Sequence, residues 1–196
     1  MKEPFEWIHS WLDHTDKSDR PRVLLIGDSI CNGYEETVRK LLDGEFYVDY
    51  LATSHSVDSD FYRAMVGGIA KASKYDLIHY NFGLHGFHMD REAYRKNYEE
   101  MLTELMSSAP VELALSTIVY EPGNAKLDER QTPAAKERNE VVLSLAEKYH
   151  LPVDDLWTVS VNIPMDGRSD DGIHYVDSGW ETLAAAVADS IRSYFA

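Results

Sequence analysis

The chain has 196 residues, of which 44% are hydrophobic, and it carries a formal net charge of −15. This length and composition suit one domain that can bury a sizeable core. The negative charge, which no Lys/Arg cluster interrupts, would repel phosphate backbones and anionic membrane surfaces. We therefore expect neither nucleic acid nor a membrane as a partner.

No apolar run in the sequence approaches the roughly 18 residues needed to cross a bilayer, and residues 1–7 lack the apolar core of a signal peptide. The single cysteine, Cys31, cannot form an intramolecular disulfide, which suits a reducing compartment. We expect it to be a small buried packing residue. These features predict a cytoplasmic protein, whereas the oligomeric state cannot be read from the sequence.

Hydrophobic periodicity and turn residues predict alternating helices and strands along the chain. Phe5, Ile8 and Leu12 share one helical face, which predicts an N-terminal helix and a connector over residues 1–20, packed on a single domain over 21–196. The elements predicted after it are, in chain order, a strand over 22–26, a helix to about 42, a strand near 46–51, an irregular loop over 52–59, a helix broken around 67–68, a strand over 76–82, a helix capped by Asp90, a strand over 111–119, a helix opened by Thr132-Pro133, a short strand near 153, a long loop, and a final helix from 178.

This alternation predicts an α/β protein with three layers, in which helices cover both faces of a parallel sheet of about five strands. Right-handed crossovers commonly give the strand order 2-1-3-4-5, and ligands then bind at the carboxyl ends of the first and third strands. Ser29 follows the first strand, residues 83–86 follow the third, and residues 171–174 follow the fifth. The predicted fold therefore brings these three segments to one edge of the sheet.

Two short motifs supply the serine, histidine and carboxylate that can activate a hydroxyl as a nucleophile. The tetrapeptide GDSI at 27–30 follows a buried strand, and DGIH at 171–174 lies near the other end of the chain. Each has a structural interpretation by itself, because Asp-Ser often caps a helix and Asp-Gly often forms a turn. Their joint occurrence in one chain favours catalysis.

Other proteins built on such sheets need motifs that this chain lacks. The GxSxG of ordinary α/β-hydrolases is absent, the glycine after Gly27 is Gly33 and therefore does not form GxGxxG, and no Gly-Lys-Ser/Thr phosphate loop occurs. Receiver domains carry an aspartate where this chain has Asn81. The histidine pairs at 9/14 and 85/88 have no matching carboxylate or cysteine frame, so we expect neither a metal nor a cofactor.

The pair of motifs resembles the first and last blocks of the SGNH (GDSL-like) hydrolases, with isoleucine where leucine is commoner. The resemblance covers the chain from about residue 22 to 180 and implies a flavodoxin-like fold. It also implies that Ser29 is the nucleophile, that His174 is its general base, and that Asp171 orients the imidazole.

The same resemblance indicates an oxyanion hole whose donors differ from the family pattern. The family uses the backbone N–H of the nucleophile turn, here Ser29, the N–H of a second-block glycine, and a third-block asparagine. This chain has His85 in the sequence Gly-Leu-His at the third place, and Asn81 is the alternative side-chain donor. It has no glycine in the second-block loop, where Ser56 or Val57 would provide the N–H, and we take Val57 as the candidate.

These expectations define a serine esterase that acts on a small-molecule ester. The acyl group would be small, most simply acetyl, and the alcohol portion could be a carbohydrate. Four aromatic residues near the predicted edge could stack on sugar rings, although aromatic residues this frequent more often pack in the core or at the rim. They are Tyr34, Phe87, Tyr120 and Trp180. The alternatives are a thioesterase or lysophospholipase of the same family, or a hydrolase-like binding protein without turnover. Acyl-chain preference and reaction with a fluorophosphonate probe distinguish them.

Overall fold

A computed structural model describes residues 4–196 of the chain. Its six strands are β1 (Ile8–Trp11), β2 (Arg22–Gly27), β3 (Tyr47–Thr53), β4 (Leu77–Asn81), β5 (Val111–Ala114) and β6 (Val153–Asp154). Its α-helices are α1 (Ser29–Leu41), α2 (Asp60–Ile69), α3 (Arg91–Met106), α4 (Gln131–Tyr149), α5 (Leu156–Asn162) and α6 (Asp177–Phe195), with a 3₁₀ turn at Met165–Gly167. None of these helices is long and apolar enough to span a membrane.

The strands form one sheet in the order β1-β3-β2-β4-β5-β6. The five strands from β2 to β6 are parallel and follow the predicted 2-1-3-4-5 order, so that order is confirmed. The strand order reverses between β2 and β4. In such folds, ligands bind beyond the carboxyl ends of the strands at this point.

Both faces of the sheet are covered, and β2 shows why. Val23 and Leu25 point into a core formed with α1 and α6, whereas Leu24 and Ile26 point into a core formed with α2, α3 and α4. All four side chains are fully buried. An uninterrupted apolar run is what a central parallel strand requires, because both of its faces are removed from water.

The predicted N-terminal helix is wrong. Residues Ile8–Trp11 instead form β1, which pairs antiparallel with β3 in a register that places Ile8 opposite Thr53 and Trp11 opposite Tyr50. The apolar spacing of Phe5, Ile8 and Leu12 fits a helix, but the open edge of β3 offers backbone partners along the whole segment. Tertiary pairing therefore overrides the local pattern.

The predicted break at 67–68 is also wrong, because α2 continues through both glycines. Ser59 caps this helix by accepting from the backbone N–H of Tyr62, and Tyr62 and Val66 bury one face in the core. Burial of that face offsets the helix penalty of two glycines, about 1 kcal/mol each. A Cβ on Gly67 would lie 2.4 Å from a carboxylate oxygen of Glu104 in α3, so a larger residue there would displace the end of that side chain.

Three further boundaries differ from the predictions. The fifth strand in the chain, β5, ends at Ala114 instead of extending to 119, and the predicted long loop after β6 contains α5 and the 3₁₀ turn. The helix predicted to open at Thr132 begins at Gln131, and its first N–H is capped by Asp128, which accepts from Gln131 at 2.5 Å. Thr132 is not the cap, because it lies inside the helix, where its hydroxyl donates to the carbonyl of Val119.

Candidate active site

Ser29 is the first residue of α1, directly after the turn that ends β2, and it is partly exposed. Asp28 caps the helix, since its Oδ1 accepts from the N–H of Ile30 at 3.0 Å. A side chain at Gly27 would lie 2.9 Å from the carbonyl oxygen of Asn81 and 2.4 Å from Cβ of Cys31. Only glycine allows this turn to pack so closely against the end of β4.

Asp28 does more than cap α1. Its side chain is 1% exposed, and its second oxygen accepts from the backbone N–H groups of Gly83 and Leu84 at 3.2 and 3.0 Å. One carboxylate therefore joins the serine turn to the loop that follows β4. Sequence reasoning found the cap but missed this bridge, which draws the loop bearing His85 toward Ser29.

Arg138 of α4 holds the same loop from the other side, and no sequence signal singled it out. Its guanidinium donates to the carbonyls of Gly83, His85 and Gly86 at 2.6, 2.6 and 2.7 Å. The residue is 4% exposed and lies over the rings of Phe87 and Tyr94. Burial lowers the pKa of Arg138. A buried cation that binds three backbone carbonyls fixes the loop conformation around His85.

Asn81, the alternative oxyanion donor, is already engaged. Its amide nitrogen donates to the carbonyls of Leu115 at 3.1 Å and Ala114 at 3.4 Å, which ties the end of β4 to β5. The Asn81 amide is therefore used to join neighbouring strands of the sheet.

Asp171 and His174 form a directly bonded pair. His174 Nδ1 lies 2.6 Å from Asp171 Oδ2, and Asp171 Oδ1 accepts from the backbone N–H groups of Ile173 and His174 at 2.8 and 2.9 Å. Partial burial opposes ionisation of the carboxyl, but these hydrogen bonds outweigh it and lower the pKa of Asp171. An ionised partner at Nδ1 leaves Nε2 as the atom that can accept a proton.

The loop that carries this pair is fixed by Gly172, whose φ is +77°. The N–H of Tyr120 donates to the carbonyl of Gly172 at 2.8 Å, and the N–H of Gly123 donates to Asp170 at 2.9 Å. A Cβ at Gly172 would lie 2.1 Å from the Tyr120 carbonyl oxygen. The Asp-Gly turn signal is therefore genuine, and it serves to present the histidine.

Trp180 connects the histidine loop to the helix of the serine. The ring centroids of Trp180 and His174 are 6.5 Å apart, and the indole lies so close to α1 that a Cβ on Gly33 would be 2.2 Å from it. Gly33 is four residues after Ser29, and therefore about one helical turn along α1. Trp180 therefore lies against both His174 and α1, the helix that Ser29 begins.

The second-block loop, residues 54–59, packs against the loop of His85. The Ser56 hydroxyl is buried, and a Cβ at Gly86, whose φ is +72°, would lie 2.2 Å from it. His88 Nε2 and Asp58 Oδ2 join the two loops at 2.8 Å. Val57 is fully buried in the apolar core, so its side chain packs there and any catalytic role would fall to its backbone N–H.

Two expectations about neighbouring residues have different outcomes. Cys31 is fully buried, as predicted for a packing residue, and burial raises the pKa of its thiol. Tyr34 is also fully buried, so it is a core packing residue and cannot stack on a sugar, whereas Phe87 is 40% exposed. Within residues 4–196, no group of three or more His, Cys, Asp and Glu side chains is arranged to hold a metal ion.

Comparison with family models and with curated protein sequences gives no match. Solved structures do match. A lipase/acylhydrolase from Enterococcus faecalis has a TM-score of 0.70 at 21% identity, over 89% of this chain and 96% of that one. A member of the lipolytic protein G-D-S-L family from Veillonella parvula has a TM-score of 0.67 at 18% identity, over 86% and 96% of the two chains. A variant of an acetyl-xylooligosaccharide esterase from Geobacillus has a TM-score of 0.71 at 16% identity, over 87% and 94%. The chain therefore has the SGNH hydrolase fold.

Proposed function

We propose that this protein is a serine esterase that hydrolyses small O-acyl esters, acetyl esters above all, by way of an acyl-enzyme. The observation that carries the proposal is the Asp171–His174 pair, with its 2.6 Å contact. Trp180, which lies against both His174 and the helix that Ser29 begins, supports a position of this pair near the serine. The acetyl-xylooligosaccharide esterase among the structural neighbours supports a carbohydrate as the alcohol portion.

In this mechanism, His174 Nε2 removes the proton of Ser29 Oγ as the oxygen attacks the ester carbonyl. Asp171 holds the imidazole tautomer and stabilises the imidazolium. The proton then passes from His174 to the leaving alcohol oxygen, and the acyl group remains on Ser29. Water attacks the acyl-enzyme with His174 again as the base, which releases the acid and restores the serine.

The negative oxygen of each tetrahedral intermediate requires donors that are already in place. The backbone N–H of Ser29, the backbone N–H of Val57 and a ring N–H of His85 supply them in our proposal. Asp28 and Arg138 support this assignment, because together they fix the conformation of the His85 loop through backbone hydrogen bonds.

The test is hydrolysis of p-nitrophenyl acetate by Ser29→Ala, with Ser193→Ala as the matched control. Ser193 lies exposed in the last turn of α6, and its hydroxyl donates to the Asp189 carbonyl. We expect kcat to fall by at least about 10⁴-fold in Ser29→Ala and to stay unchanged in Ser193→Ala. A folded Ser29→Ala variant that retains the wild-type rate contradicts the proposal.

A further inference from the structure

The segment before β1 lies across the carboxyl end of the sheet. Because β1 is antiparallel to β3, its N-terminal end lies at the edge where the parallel strands end. Three hydrogen bonds hold the backbone of Trp7 there: its N–H donates to Ser54 Oγ at 2.9 Å, and its carbonyl accepts from Thr53 Oγ1 at 2.8 Å and from the Ser54 N–H at 3.3 Å. Glu6 reinforces the attachment by accepting from Ser54 Oγ at 2.8 Å.

The indole of Trp7 reaches from this edge strand to the His85 loop. The ring centroids of Trp7 and His85 are 6.4 Å apart, with the planes at 78°, and Trp7 packs on the apolar core that includes Leu84. Three strand steps separate β1 from β4, which is about 14 Å at the usual spacing of neighbouring strands. The two rings therefore meet above the intervening ends of β3 and β2, and β2 ends at the turn of Ser29.

The chemistry of the proposed reaction assigns a role to the Trp7 indole. The leaving oxygen must face His174, which protonates it, and the carbonyl oxygen must face the donors that include His85. The acyl chain takes the remaining direction, away from His174 and toward the side of the site where the Trp7 indole lies against His85. We infer that Trp7 is a specificity-determining residue that closes the acyl side of the cleft and limits the acyl group to about the size of acetyl. This inference rests on the proposed esterase function.

The test compares p-nitrophenyl acetate with p-nitrophenyl butyrate for the wild type, Trp7→Ala and the control Trp11→Ala. Trp11 lies at the other end of β1, is 52% exposed and stacks on Arg39. Butyrate adds two methylenes, and each buried methylene contributes roughly fourfold in affinity. We expect Trp7→Ala to raise the butyrate-to-acetate ratio of kcat/KM by about 10-fold, and Trp11→Ala to leave it unchanged.

Trp7→Leu serves as a second variant in case the alanine variant does not fold. Leucine keeps apolar packing on the core but occupies less space than the indole. This variant should give an intermediate ratio, with circular dichroism and Tm recorded for every variant. The inference is overturned if the wild-type enzyme prefers butyrate, or if the butyrate-to-acetate ratio is unchanged in folded Trp7 variants. In either case, Ser29-dependent hydrolysis of acetate would still support the esterase function. Absence of any Ser29-dependent hydrolysis overturns both.

Discussion

Gly33→Ala tests whether the contact between α1 and Trp180 positions His174, the proposed general base. Alanine normally stabilises a helix interior by about 1 kcal/mol relative to glycine. At Gly33, however, the new Cβ would lie 2.2 to 2.4 Å from three carbons of the indole, whereas carbon atoms in contact are ordinarily about 3.5–4.0 Å apart. Overpacking of this kind costs about 1–3 kcal/mol. The net change should therefore lie between about zero and a loss of 2 kcal/mol.

The matched control is Gly68→Ala in α2, where nothing lies within 4 Å of the added Cβ. It should gain about 1 kcal/mol, so the two alanine variants should differ by about 1–3 kcal/mol in the free energy of unfolding. Urea denaturation measures this difference. Trp180→Phe combined with Gly33→Ala should recover part of the lost stability. The overlapping atoms belong to the outer six-membered ring of the indole, and the single ring of phenylalanine does not extend as far.

Activity carries the second readout of Gly33→Ala. Displacement of the indole from beside His174 should lower kcat for p-nitrophenyl acetate more than it changes KM, since misplacement of a catalytic base by about 1 Å costs up to about 100-fold. Gly68→Ala should keep the wild-type kcat. If Gly33→Ala is stabilised as much as Gly68→Ala and is fully active, the contact does not position His174 and the reasoning fails.

Three further predictions concern other parts of the fold. His85→Ala should lower kcat about 100-fold with little change in KM, and His85→Asn should recover part of it, as kinetics on variants of equal circular dichroism will show. Arg138→Met should lower kcat at least about 10-fold and reduce stability, because three loop carbonyls lose their donor, and Arg138→Lys should fall between it and wild type. Burial alone would lower the pKa of His79, but the hydrogen bond to Asp154 and the charges of Asp154 and Glu112 raise it above its ordinary value. Protonated His79 therefore stabilises the fold fully at pH values below its unfolded pKa, and this stability is lost as the pH rises through the raised folded pKa. The urea midpoint of wild type relative to His79→Gln should therefore decrease from pH 6 to pH 9, and a constant difference contradicts this assignment.

The order of the parallel strands could be predicted because each central strand is an apolar run followed by a turn. Val23 to Ile26 illustrate this pattern, since an apolar run that ends at a glycine is typical of a strand buried on both faces, and all four residues are fully buried. The N-terminal segment could not be predicted, because its partner is the edge of β3, about 40 residues away, and local spacing carries no record of that pairing. The continuity of α2 through Gly67 likewise depends on core contacts made by its other residues.

The candidate site divides in a similar way. Asp171 and His174 are three residues apart, so a single turn brings them together and the sequence predicts their contact. Arg138 contacts the His85 loop across 53 residues of sequence, and nothing in the surrounding helix distinguishes it from a surface arginine. Residues that act by holding a loop become visible only when the fold shows which backbone groups they bind.

The most direct test of the central claim is whether Ser29 is an activated nucleophile. The protein is incubated with a fluorophosphonate probe, and tryptic peptides are sequenced by mass spectrometry, beside Ser29→Ala and His174→Ala. We predict a single phosphonylated residue, Ser29, with labelling abolished in Ser29→Ala and slowed at least about 100-fold in His174→Ala. No labelling of Ser29 in the folded wild-type protein, or equal labelling in His174→Ala, would contradict the esterase mechanism.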